Sequence, residues 1–151
     1  MKNSSTTALL LVDDDPIYYQ VLAQVAAQEG IDLDWIGDPM HLQDVRSLPH
    51  YDGILLDYYM GQVTGPDIAD HLMSLAGDLP IMLVTVGNCQ ETHQESWPGC
   101  IVNYISKSEG PREVLRKAKS FIDAHLASRD LLLKTTLLPA TMKTSTPTQR
   151  N

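Results

Sequence analysis

A chain of 151 residues, 43% hydrophobic and 20% charged, has the length and composition of one globular domain with a two-sided core. Its formal charge is −8, and because residues 131–151 hold three cations and no acids, the first 130 residues carry −11. So acidic a body repels a phosphate backbone, which argues against direct nucleic-acid binding and for cations and protein partners.

The apolar runs are of strand length, so no membrane span is expected, and the N-terminus lacks the pattern of a signal peptide. Cys89 and Cys100 have no zinc-type spacing and make no disulfide framework. Free thiols in a reducing cytoplasm are the expected setting.

In chain order, residues 1–7 read as a short tail. Ala8–Val12 is an apolar strand ended by Asp13-Asp14-Asp15. Asp15 before Pro16 is a cap and first helical residue, opening a helix to about Glu29 with Gly30 as its stop. Ile17, Val21, Leu22 and Val25 recur on it at helical spacing.

Ile31–Ile36 alternates like a half-exposed strand, and Asp38-Pro39 predicts a short helix to about Ser47. Asp52–Leu56 contains the continuous apolar run of a strand covered on both faces, and Asp57 ends it. Gly61 and Gly65 follow in a sharp loop before a helix that closes at Gly77.

Pro80–Val84 is a further buried strand, ended by Thr85; Asn88–Trp97 is a weakly amphipathic helix candidate; Cys100–Ile105 is a strand followed by Ser106 and Lys107. Pro111–Ala127 is a helix with one clear apolar side. Five strands alternating with five helices predict an α/β fold, a parallel sheet covered on both faces, over residues 8–130. The Thr/Pro-rich stretch 131–151 is expected to be a disordered tail, with Leu131-Leu132-Leu133 either extending the last helix or offering an apolar contact.

Four strands end in a residue capable of chemistry: Asp13-Asp14, Asp57, Thr85 and Lys107. In an open α/β sheet these ends converge in one cleft. Three carboxylates facing one lysine repel one another, and a hard divalent cation such as Mg²⁺ relieves this through carboxylate and water oxygens. Asp57 then has the chemistry of a carboxylate nucleophile for a phosphoryl group, with Lys107 offsetting charge on the phosphoryl oxygens and Thr85 hydrogen-bonding one of them. The scattered histidines 41, 50, 71, 93 and 125 show no metal-site spacing, and no glycine-rich phosphate loop follows the first strand. Tyr18, Tyr19, Tyr58 and Tyr59 form a candidate aromatic rim for docking a partner helix or for packing.

This pattern resembles the receiver domain of two-component response regulators over roughly residues 8–127. The acidic pair looks like Asp13-Asp14, the phosphoacceptor motif like Asp57-Tyr58-Tyr59-Met60 with Gly65, the switch pair like Thr85 and Tyr104, and the lysine like Lys107. The resemblance implies a flavodoxin-like doubly wound sheet of order 2-1-3-4-5. It implies phosphorylation of Asp57 by a histidine kinase or histidine phosphotransfer protein, with no turnover of an external substrate. It also implies Mg²⁺ held by Asp13 through water, Asp14, Asp57 and the backbone carbonyl of Tyr59. Phosphorylation would draw Thr85 inward and let Tyr104 rotate, altering the face of the fourth helix, fifth strand and fifth helix. That face is the expected surface for a downstream protein partner or a second copy of the chain.

The sequence departs from the family at three places. Gly61 stands where proline is usual and is expected to loosen the loop; Ser108 follows Lys107 where proline is common; Val86 and the bulky Tyr59 are expected to narrow access to the phosphoaspartate and slow its hydrolysis. The rival reading is a receiver-like interaction module that is never phosphorylated. An aspartate-nucleophile phosphatase is disfavoured, because Tyr59 stands where those enzymes carry a second aspartate.

Overall fold

The structure is a computed structural model that describes residues 6–86 and 97–136. Its elements are β1 (Thr7–Val12), α1 (Pro16–Glu29), β2 (Ile31–Ile36), β3 (Gly53–Asp57), β4 (Tyr59–Met60), β5 (Val63–Thr64), α2 (Gly65–Ala76), β6 (Ile81–Thr85), β7 (Ile101–Ser106) and α3 (Pro111–Thr136). Five parallel strands lie in the order β2-β1-β3-β6-β7. Counting only these long strands, that is the expected 2-1-3-4-5. The helix expected over Asn88–Trp97, and Cys89 with it, lies almost wholly outside the described residues.

Strand alternation sorts the core into two halves. Leu10, Val12, Ile54, Leu56 and Leu83 face α2, meeting Ile68, Ala69 and Leu72. Leu9, Leu11, Leu55, Met82 and Val84 face the other way, toward Leu22 and Ala26 of α1 and Val114, Leu115, Ala118 and Ile122 of α3. The continuous apolar strands are explained by this double coverage, since neither face of β1, β3 or β6 meets water.

Three expectations need correction. The segment after Asp38 is not an α-helix to Ser47 but two 3-10 turns, Pro39–Asp44 and Leu48–His50. His41 leaves helical geometry, and Pro49 lacks the N–H that a continuing α-helix would need. On α1, Leu22 and Ala26 fill the core, whereas Ile17 and Val21 are exposed. Gly61, expected to loosen its loop, is at φ +65° the first of two turn residues joining β4 to β5, a position that suits glycine. Finally, α3 does not stop at Ala127 but runs to Thr136, so Leu131, Leu132 and Leu133 extend it, one of the two roles expected of them, and are exposed on it.

Candidate functional site

Parallel strands point one way, so residues that end them share an edge of the sheet. Val12 pairs with Leu56, which brings Asp13 beside Asp57 on adjacent strands. Asp57 pairs with Val84, one residue before Thr85, and Thr85 pairs with Ser106, one residue before Lys107. The register therefore collects Asp13, Asp57, Thr85 and Lys107 at one mouth.

Asp13 is fully buried, Asp57 and Thr85 nearly so, and Asp14 is exposed. One oxygen from each of Asp13, Asp14 and Asp57 lies within 4.8 Å of the others. The Lys107 ammonium is 2.7 Å from Asp13 Oδ2 and 3.4 Å from Asp57 Oδ1. The first contact is a charge-assisted hydrogen bond; the second is a looser ion pair.

Burial pushes the Asp57 carboxyl from 3.8 up to about 6, and the charge of Asp13 adds to it. Lys107 and a hydrogen bond from the Tyr59 backbone oppose the rise. Three carboxylates against one ammonium leave two negative charges uncompensated, and all the donors are hard oxygens. This set fits Mg²⁺. Asp13, Asp14 and Asp57 are the side chains that would hold it.

Asp13 is held from several sides. Its Oδ1 accepts the Asp15 N–H at 2.9 Å, and its carbonyl accepts the Trp35 indole N–H at 2.7 Å. Asp15 in turn caps α1, accepting from the N–H groups of Ile17 and Tyr18. The capping role expected of Asp15 is therefore what the structure shows.

The loop after Asp57 is built around Gly65, whose N–H donates to the Tyr58 carbonyl at 2.7 Å. A Cβ at Gly65 would lie 2.9 Å from the Asp57 carbonyl oxygen and 2.8 Å from Leu83 Cδ2. Only glycine lets α2 start so close to the Asp57 backbone. Asp67 steadies that start by accepting from the Thr64 N–H and hydroxyl.

The remaining candidates sit around this centre, with the Tyr59 backbone bonded to the Asp57 carboxyl. The Thr85 hydroxyl donates to the Val86 carbonyl at 3.3 Å. Tyr104 is half-buried on the α2 side of the sheet, edge-on to Trp97 with ring centroids 6.2 Å apart. The side chains of Tyr59 and Val86 are exposed at the rim, and Tyr58 meets Tyr59 edge-on. No peptide bond among the described residues is cis, and Ser106 Oγ accepts the Ser108 N–H at the head of the turn Lys107–Glu109.

Two site residues were not legible in the sequence as working parts. Trp35, in a strand that reads only as half-exposed, supports the Asp13 backbone. Tyr18, which reads as rim, lies with its ring 4.4 Å from the Lys107 ammonium. The spacing of Tyr18 and Tyr19 after the acidic run was the available signal.

The family model for the response regulator receiver domain matches residues 9–119. The chain belongs to the response regulator receiver family. Among similar solved structures is a CheY-like receiver domain protein from Methanospirillum hungatei JF-1, with 21% identity and TM-score 0.69 over 82% of this chain and 99% of that one. Another is the response regulator TrrA of Thermotoga maritima in complex with Mg²⁺ and BeF, with 24% identity and TM-score 0.63 over 76% and 98%. TrrA also appears in complex with the histidine kinase ThkA, a match of 26% identity and TM-score 0.63 over 76% and 97%. No curated protein matches this receiver. No helix among its described residues is long and apolar enough to cross a membrane.

Proposed function

We propose that this receiver is phosphorylated on Asp57 by a histidine kinase or phosphotransfer protein in the cytoplasm and signals by a change of conformation. The observation that carries the reading is Asp57 at the end of the central strand, with Asp13, Asp14 and Lys107 gathered on it. The kinase complex of the similar regulator TrrA supports a kinase as partner.

In this mechanism Asp57, ionised, attacks the phosphorus of a phosphohistidine or small phosphoryl donor, and the donor's P–N or P–O bond breaks as the acyl phosphate forms. Mg²⁺, when bound by Asp13, Asp14 and Asp57, would supply charge neutralisation at the phosphoryl oxygens, and the Tyr59 carbonyl would be a further ligand. Lys107 leaves its loose pairing with Asp57 to meet a phosphoryl oxygen. Thr85 exchanges the Val86 carbonyl for another, and Tyr104 moves on the neighbouring strand. The changed face of β7 and α3 then meets a downstream protein or a second receiver.

Incubation with acetyl phosphate and Mg²⁺, followed by intact mass, tests this. One phosphate-sized gain is expected in the wild type and none in Asp57→Asn. Decay of that species should be faster in Val86→Ala, which opens the rim. No gain in the wild type would favour the interaction module that is never phosphorylated. An unchanged decay would remove Val86 from control of access.

A further inference from the structure

The first turn of α1 carries two adjacent tyrosines, which the helix turns about 100° apart. Tyr19 stacks on Trp35, with ring centroids 5.0 Å apart and planes 10° from parallel, and Trp35 holds the Asp13 carbonyl. Tyr18 serves the other branch. Its ring lies 4.4 Å from the ammonium that bonds the Asp13 carboxylate. Both aromatics thus act around Asp13, one through the backbone and one through Lys107.

The Tyr18 hydroxyl is buried with no hydrogen-bond partner, the one such side-chain atom among the described residues. A desolvated, unpaired hydroxyl is unfavourable, and an aliphatic side chain at this place would avoid it. What the aliphatic side chain would lack is an electron-rich face for a cation shielded from water, where such contacts are strongest. Lys107 is so shielded, with its side chain 13% exposed. The aromatic face is therefore the property this position retains.

We propose that Tyr18 is a positioning residue: its ring face holds the Lys107 ammonium against Asp13 and Asp57, in place for the incoming phosphoryl oxygens. The inference rests on the phosphoacceptor reading for its consequence, though not for the contact itself. Losing the face frees the ammonium to sample solvent, and Asp57 then faces the donor with less of its charge balanced.

The test pairs a phosphorylation rate with a measurement that needs no phosphoryl donor. With acetyl phosphate and Mg²⁺, Tyr18→Leu should slow phosphorylation about tenfold, between the exposed and the fully shielded values for a cation on a ring. Tyr18→Phe, which keeps the face, should stay within about twofold of wild type. In a Lys107→Ala background, Tyr18→Leu should change the rate by less than about twofold, because the residue it acts through is gone. Separately, acetylation of Lys107 by acetic anhydride, read by peptide mass spectrometry in metal-free buffer, should be several times faster in Tyr18→Leu than in the wild type or Tyr18→Phe.

Melting temperatures check that each variant is folded, and Tyr18→Met carries the same expectations should Tyr18→Leu fail to fold. Equal Lys107 labelling in all three proteins overturns the proposal, as does an undiminished effect of Tyr18→Leu in the Lys107→Ala background. A Tyr18→Phe variant as slow as Tyr18→Leu also overturns it and assigns the role to the hydroxyl. A wild type that takes no phosphate sinks the phosphoacceptor reading instead, and the labelling still decides whether Tyr18 holds Lys107.

Discussion

The Asp57 carboxylate is held at the cost of stability. Its pKa is raised from 3.8 to about 6 by burial and by Asp13. Below about pH 4 the group is protonated both folded and unfolded, and it contributes no difference. Between about pH 4 and 6 the unfolded chain gives up this proton while the folded chain keeps it, so stability is lost as pH rises and levels off above 6, where both are ionised. A rise of this size corresponds to roughly 3 kcal/mol at most. In buffer containing a chelator, Asp57→Asn should therefore melt higher than wild type at pH 8, with the gap closing toward pH 4. Thermal melts of both proteins across that range check it, and a gap independent of pH would count against burial as the cause. Asp57 was legible only in company: one charged residue ending an apolar run says little, but Asp13-Asp14, Thr85 and Lys107 end three other strands of the same sheet. Tyr18 and Trp35 were not, because an aromatic near a site has the same signature whether it packs or works.

At the scale of elements, the β3–α2 connection shows how backbone geometry serves the site. Gly61 turns a two-residue hairpin and Gly65 lets α2 begin against the Asp57 carbonyl. Gly65→Ala forces Leu83 or the backbone of Asp57 to move, and overpacking of this kind costs about 1–3 kcal/mol. The urea midpoint should fall by a corresponding amount with an unchanged slope, and the phosphorylation proposed for Asp57 should slow because its backbone is displaced. Gly99→Ala is the control, since its Cβ would meet nothing within 4 Å; equal losses in the two variants would contradict the steric account. The long strands were readable because both faces are buried, whereas β4 and β5 are two residues each and carry no period. The 3-10 turns after β2 escaped for a related reason. Asp38-Pro39 carries the same start signal as a true helix, and the break comes at His41, which no sequence signal marks.

Across the whole molecule, Lys107 is the tie that closes the mouth of the sheet. It follows β7 at one edge and bonds Asp13 after β1, with two strands between them and 94 residues of sequence separation. Strand order of this kind is not contained in periodicity, which counts strands without arranging them; the arrangement came from the resemblance, and the register then explains the convergence. The tie matters because the body is so acidic. Lys107→Met keeps most of the apolar stem but leaves Asp13 buried beside Asp57 with no cation. Breaking a buried pair from one side typically costs about 3–5 kcal/mol, because the remaining charge is left uncompensated. The loss should be near the lower figure here, since Asp57 is able to relieve the cluster by taking a proton near neutral pH. Mg²⁺ bound by the three carboxylates would supply the missing positive charge and, by binding only the folded state, raise stability further. The variant should thus unfold far more easily than wild type in chelator, and saturating Mg²⁺ should close more than half of that gap. Urea titrations with and without Mg²⁺ measure both effects. A deficit that Mg²⁺ leaves untouched would mean that Lys107 contributes through the packing of its stem, and that charge at the mouth is balanced in some other way.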